Sequence, residues 1–293
     1  MRLCNKRASP QATASAYNSP HSYCHLRHSR RDTMTYCLAI NVNQGLVLCS
    51  DSRTNAGTDN VSVYSKMHNF AWPGQRFFTL LSAGNLATTQ AVVKKINSDI
   101  AATLSPNLLT VCSMQEAADY LSMISTQVQK LHSTRDTGST NFEATFIFAG
   151  QIVGHAPEMF MVYPQGNYIH ESNEHPFLQI GEIKYGKPIL DRVIKRDVAL
   201  APAARCALVS MNSTVRSNLT VGPPIDLLIY ERDSLNAGRR YYFSEDDPFA
   251  RQLSERWNEG LMAALQNLPR FDWESPDKNS MEPSRVVNFP SGS

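Results

Sequence analysis

The sequence predicts an α+β layered fold, and three observations carry that expectation. Strand-type and helix-type segments are segregated, in the order strands, two helices, strands, two helices, strands, instead of alternating as in a parallel βαβ sheet. The 293 residues are 42% hydrophobic, which is enough chain to bury a sizeable core. No stretch approaches the roughly 18 consecutive apolar residues of a membrane-spanning helix, so no membrane partner is expected.

The elements follow in order from Met34. Thr35–Val42, a loop Asn43–Gly45 and Leu46–Arg53 read as a β-hairpin whose three-residue loop ends in glycine. Val61–Tyr64 and Met67–Trp72 read as a second pair of short strands, and Arg76–Ala83 as an apolar strand ending at Gly84. Leu86–Leu104 sets Val92, Val93, Ile96 and Ile100 along one helical side. Gln115–Leu131 does the same with Ala118, Leu121, Ile124, Val128 and Leu131. Ser113 is the expected N-cap of that second helix, with Glu116 three residues on as its capping-box partner. Strands are expected again at Ala144–Gly150, Met159–Tyr163, Tyr168–Glu171 and Leu178–Ile180. Helices follow at about Gly186–Asp197 and Ala203–Asn218, then strands at Ile225–Glu231 and Arg240–Phe243, then a helix at Pro248–Leu265.

Charge divides the chain. Residues 1–33 carry Arg2, Lys6, Arg7, Arg27, Arg30 and Arg31 against Asp32 alone, a net of +5, so the rest must be −3 to give the total of +2. A mildly acidic body argues against a nucleic-acid partner. Residues 1–33 lack apolar periodicity and the apolar run of a secretory signal, and are expected to be a disordered leader, a start codon placed too early or a propeptide. Residues 269–293, polar and proline-rich, are expected to be a flexible tail, leaving 34–268 as the folded domain. The six cysteines are scattered, with no C-x-x-C pair and no metal-ligand spacing, which fits a cytoplasmic chain and suggests neither metal nor cofactor.

The hairpin concentrates the chemistry. With Val42 facing Leu46, Thr35 lies opposite Arg53 and Cys37 opposite Asp51. Those four residues then share one face, and Tyr36, Leu38, Ile40, Leu46 and Leu48 share the other. A small residue after methionine permits removal of that methionine and leaves Thr35 with a free α-amine. Such an amine titrates near pH 8 and can accept the proton of its own residue's hydroxyl, which activates the threonine as a nucleophile. A lysine nearby lowers the amine's pKa by like-charge repulsion, and a carboxylate keeps that lysine charged and in place. Lys66 and Asp51 could supply this pair.

The runs MTYCLAINVNQGLVLCSDSRTNAG, YSKMHNF and LLSAGNLATTQA resemble the proteasome β-subunit family of N-terminal-nucleophile hydrolases, and within it the bacterial ancestral β-subunit (Anbu) branch related to the HslV peptidase. GEIKYGKPILDR and the stretch from Ser210 to Tyr230 extend the likeness, which spans about residues 34–265. The resemblance implies a four-layer α/β/β/α sandwich and hydrolysis of peptide bonds by a threonine peptidase. It also implies a homo-oligomeric ring or open helical washer enclosing the active sites. It carries the nucleophile onto Thr35, the following acid onto Asp51, the basic residue onto Arg53 and the lysine onto Lys66. The glycine whose N–H holds the oxyanion falls on Gly84.

Two departures stand out. Proteasomal β-subunits usually carry serine after the glycine matched by Gly181, where this chain has Glu182. They carry a later aspartate and serine where this chain offers Asn218 and Thr220 ahead of Gly222. Such a chain could instead be a non-proteolytic amidase or transferase acting on a small amide, or a catalytically silent assembly subunit. Each residue also has a plainer role: Thr35 as a strand former, Asp51 as a turn carboxylate, Lys66 as an edge-strand lysine, Gly84 as the glycine before a helix. Gly181–Pro188 comes close to a phosphate-binding G-x-x-x-x-G-K-[ST] loop, but Pro188 replaces the hydroxyl that would hold magnesium. The sequence names no unfoldase partner.

Overall fold

The computed structural model describes residues 35–55, 61–136, 138, 140–271 and 274. The expected leader at 1–33 lies outside the described residues, as does nearly all of the expected tail. The chain forms a mixed α/β structure with two five-stranded antiparallel sheets and five helices among the described residues. None of those helices is long and apolar enough to cross a membrane.

The first sheet is built on a hairpin of β1 (Tyr36–Val42) and β2 (Gly45–Asp51). Strand β10 (Phe177–Gly181) flanks β1, and β11 (Ile225–Glu231) followed by β12 (Arg239–Phe243) flank β2. The second sheet runs in the order β5 (Met67–Trp72), β6 (Arg76–Gly84), β7 (Ala144–Ile152), β8 (Glu158–Val162) and β9 (Tyr168–His170). Short strands β3 (Arg53–Asn55) and β4 (Val61–Val63) pair with each other, which corrects the expected pairing of Val61–Tyr64 with Met67–Trp72. The reason is that β5 has a better partner: it zips against β6 over six residue pairs, and Phe78 reaches back over Trp72 in an edge-on ring contact.

Side chains from both sheets make one apolar cluster, including Cys37, Ala39, Leu46 and Leu48 from the hairpin and Phe77, Leu81 and Ile147 from the other sheet. A second cluster joins Tyr36, Leu38, Ile40, Val47 and Cys49 to helices α3 (Ile183–Val193) and α4 (Leu200–Ser217). The third joins Phe78, Phe146 and Phe148 to α1 (Leu86–Ala101) and α2 (Met114–Arg135). The central strands of each sheet thus bury both faces, which is why they read as near-continuous apolar runs. Helix α5 (Pro248–Gln266) adds only Ala250 and Leu253 to the margin of the second cluster.

The caps follow the sequence. Ser113 accepts the Glu116 N–H at 3.1 Å, and Glu116 returns to the Cys112 N–H at 2.7 Å, one residue before the expected reciprocal partner. Asn85, directly after Gly84, caps α1 through the Thr88 N–H at 3.0 Å.

The hairpin register differs by one residue from the expected one. Val42 pairs with Gly45, and Cys37 faces Ser50 where Asp51 was expected, so the loop is the two residues Asn43 and Gln44. Leu46 and Leu48 therefore share the inter-sheet face with Cys37 instead of facing the helices with Tyr36. Gly45 explains the slip. It is a strand residue against β11, with φ +144, and a Cβ there would lie 2.0 Å from the Tyr230 carbonyl oxygen. The glycine serves a close backbone approach, not the end of a loop.

Candidate active site

Thr35, immediately before β1, is almost fully buried, and its carbonyl oxygen accepts the Glu182 N–H at 2.7 Å. Gly181 makes that contact possible: its φ is +83, and a Cβ would fall 1.7 Å from the Thr35 oxygen. The residue after the glycine thus grips Thr35 through its backbone, a role that glutamate fills as well as serine.

Asp51 ends β2 with no exposed surface. Its Oδ1 accepts the Lys66 ammonium at 2.8 Å and the Tyr36 N–H at 3.1 Å, while Oδ2 accepts the Gly222 N–H at 3.4 Å. Burial pushes this carboxyl above the ordinary aspartate range, and the Lys66 charge with the three N–H donors pulls it back. Lys66 lies in the segment leading into β5; its Nζ also donates to the Arg53 carbonyl at 2.6 Å, and its own carbonyl accepts the Ser82 N–H at 3.1 Å. The ammonium is therefore held by β2 and β3, while the Lys66 backbone is held by β6 of the second sheet.

Arg53 turns its guanidinium to the Leu219 carbonyl at 3.0 Å and packs over Gly222, where a Cβ would stand 2.4 Å from its Cζ. Gly84 has φ +107, and a Cβ there would meet the Glu143 carbonyl oxygen at 2.5 Å. Thr35, Arg53, Lys66 and Gly84 line one small cleft together with Ser65 and Ser82, and Asp51 supports it through Lys66. All five residues singled out in the sequence thus gather at one place.

The neighbouring Cys37 is no rival nucleophile. Its thiol is fully buried and donates to the Ser82 carbonyl at 3.6 Å, and burial, reinforced by the Asp51 charge, raises its pKa far above neutrality. Asn218 and Thr220 form a local turn in which Asn218 Oδ1 accepts the Thr220 N–H at 2.9 Å and hydroxyl at 2.7 Å. The Gly181–Pro188 run that mimics a phosphate loop is largely the start of α3, and Lys187 spends its charge on Asp191, one helical turn on, at 2.7 Å.

Anbu from Yersinia bercovieri, described as the ancestral β-subunit, is 44% identical to this chain, with 81% of this chain and 99% of that one covered and a TM-score of 0.76. The chain belongs to the Anbu family. Anbu from Hyphomicrobium sp. strain MC1 matches at 44% identity, covering 81% of this chain and all of that one, with a TM-score of 0.73. A helical assembly of the Anbu complex from Pseudomonas aeruginosa matches at 43% identity, covering 81% and 98%, with a TM-score of 0.77. No protein-family model and no curated protein matches the chain.

Three features of this Anbu-family cleft were not read from the sequence. Gly222, known there only as a landmark after Thr220, supplies a donor to Asp51 and clearance for Arg53. Ser65 lines the cleft, and Asp226 with Arg240 forms an ion pair beside it. Asp226 looks like an ordinary surface carboxylate in IDLLIY; only the pairing of β11 with β2 buries it.

Proposed function

We propose that the chain is a proteasome-like N-terminal threonine hydrolase whose nucleophile is Thr35, acting on peptides or small amides. The observation that carries this reading is the Lys66 ammonium, held 2.8 Å from buried Asp51 in the cleft that Thr35 and Gly84 also line. A fixed positive charge beside the threonine is what its own amine needs to act as base at neutral pH.

In this mechanism, residues 1–34 are absent from the mature chain and Thr35 carries a free α-amine. The amine takes the hydroxyl proton as Oγ attacks the amide carbon. The backbone N–H beside Gly84 stabilises the oxyanion, and the amine returns the proton to the leaving nitrogen as the C–N bond breaks. Water, deprotonated by the same amine, then hydrolyses the threonine ester. Asp51 keeps Lys66 charged, and Arg53 fixes the Leu219–Gly222 loop over the pair.

The three apolar clusters support a four-layer α/β/β/α sandwich, with each sheet between a helix pair and the other sheet. The helical assembly recorded for the Pseudomonas aeruginosa relative supports a homo-oligomer, here a ring or an open helical washer. A cytoplasmic location fits the buried free thiols Cys37, Cys49 and Cys206.

The test is intact mass and N-terminal sequence of purified protein, followed by acylation with an electrophilic peptide probe. A mature chain starting at Thr35, acylated at Thr35 and silent as Thr35→Ala, supports the reading. A chain that retains residues 1–34, or one acylated elsewhere, overturns it. Acylation without turnover of any peptide favours the small-amide reading.

A further inference from the structure

Charge is unevenly shared in the cleft that holds Thr35. Two cations line it, Lys66 and Arg53, and among the described residues no carboxylate does. Lys66 is answered by Asp51 at 2.8 Å. Glu182, across the strand pair from Thr35, stands 3.4 Å from the Lys184 ammonium and does not line the cleft. Arg53 is half-buried and has no acidic partner among the described residues. Its guanidinium makes one hydrogen bond, from Nη1 to the Leu219 carbonyl at 3.0 Å, which engages one N–H of a group built to offer several. With Lys66 and Asp51 cancelling, the cleft keeps the Arg53 charge uncompensated.

The neutral groups around these cations are hydroxyls. Thr54, Ser65, Ser82 and Thr89 line the cleft, no aromatic ring does, and Leu86 is the one large apolar side chain. Ser65 and Thr89 are already engaged, donating to the Met67 carbonyl at 3.0 Å and the Asn85 carbonyl at 3.2 Å. Ser82 is only 4% exposed, and its hydroxyl has no hydrogen-bond partner among the described residues. An unpaired hydroxyl on so buried a residue calls for an acceptor supplied through the cleft. Helix α1 also begins here: Leu86 and Thr89 belong to its first turn, which carries no acidic residue. The start of a helix is its positive end, so it adds to the preference for an anion that Arg53 sets.

We propose that the cleft selects substrates with a carboxylate next to the amide carbonyl, whose charge Arg53 reads and to which Ser82 donates. This names the substrate class of the hydrolase reading and rests on it for its catalytic meaning. The carboxylate belongs on the acyl side, because that part stays bound as the threonine ester while the amine departs. Arginine suits the task, since its planar fork matches a carboxylate and its charge persists at any working pH. The absence of an aromatic or broad apolar lining among the described residues leaves little to hold a large hydrophobic side chain.

Two peptide vinyl sulfones that differ only in aspartate or asparagine beside the reactive group test this, with Thr35 modification followed by mass spectrometry. The aspartyl probe should react about tenfold faster, the scale of one charged hydrogen-bonded contact. Arg53→Gln should remove that preference by slowing the aspartyl probe alone, and Arg53→Lys should keep part of it. Loss of the Leu219 contact by itself would slow both probes alike, so the ratio separates charge reading from a structural role. Ser82→Ala should lower the ratio about threefold. Equal rates for the two probes in wild type overturn the proposal, whether or not Arg53→Gln folds. So does a preference that survives unchanged in Arg53→Gln. A second measurement does not need the nucleophile: acetyl-aspartyl amide should raise the Tm of the wild-type protein, and acetyl-asparaginyl amide should not. An equal rise with inorganic phosphate means a general anion site and overturns the carboxylate assignment. Failure of the hydrolase reading alone looks different: neither probe modifies Thr35, while acetyl-aspartyl amide still raises the Tm. If that amide gives no shift either, both readings fall.

Discussion

Replacing Lys66 with methionine keeps the stem and removes the charge, leaving Asp51 buried with only the Tyr36 and Gly222 N–H groups at 3.1 and 3.4 Å. Removing one partner of a buried pair costs about 3–5 kcal/mol, because the other charge stays desolvated and uncompensated. The penalty applies to the ionised carboxylate alone, so it must depend on pH. Unfolded Asp51 titrates at about 3.9. In the folded variant its pKa rises further, because burial already raises it and Lys66 is the largest opposing influence. Between those two values the folded variant holds a proton that the unfolded chain has released. Its stability therefore falls by about 1.4 kcal/mol per pH unit as pH rises. Lys66→Met should thus lie close to wild type at pH 4 and about 3 kcal/mol below it by pH 7. Urea unfolding at both pH values, followed as midpoint shifts at constant m, measures the gap. A gap that is flat with pH, or wider at pH 4, refutes the account of Asp51 as a buried carboxylate held ionised by Lys66. Asp51→Asn in the same background should recover most of the loss at pH 7.

Gly84→Ala places a methyl 2.5 Å from a backbone oxygen at φ +107. It should cost more than about 1 kcal/mol in urea unfolding and slow Thr35 acylation by roughly a hundredfold; acylation at the wild-type rate removes Gly84 from the oxyanion site. Burial raises the thiols of Cys37, Cys49 and Cys206, the last to about 12. Below about pH 9 each thiol is neutral folded or unfolded, and above it the unfolded chain ionises first, so each lowers stability by about 1.4 kcal/mol per pH unit. A Tm series from pH 8 to about 10.5 should therefore fall less steeply in Cys206→Ala than in wild type, whatever the cavity costs at pH 8. Ser113→Ala should lose about 1 kcal/mol in the same unfolding assay, with no change in Thr35 acylation.

Much of the fold was legible because it rests on local causes. Ser113 with Glu116 three residues later announced the start of α2, and the apolar stripe of Val92 and Ile96 announced α1. The central strand runs were readable as well, since both of their faces are buried and the residues are correspondingly apolar. Thr35, Asp51, Lys66 and Gly84 could be named together because a threonine at a potential N-terminus needs a cation, an acid and an N–H donor, and motifs in family order supply all three. Gly222 and Asp226 could not, since no local pattern marks a residue whose role comes from a strand some 170 positions away in sequence.

Local patterns were enough to say which segments are helix and which are strand, where two helices begin, and which residue types could perform acyl transfer. These follow from side-chain periodicity, capping groups and the chemistry of an amine next to an alcohol. The hairpin register came from long-range packing, because Gly45 is required by the backbone of β11 pressing against it and not by the turn it adjoins. That choice sets which way Leu46 and Leu48 face, and places Asp51 at the strand end within reach of Lys66 and Gly222. Period-two alternation is satisfied by either register, and contacts distant in sequence selected one.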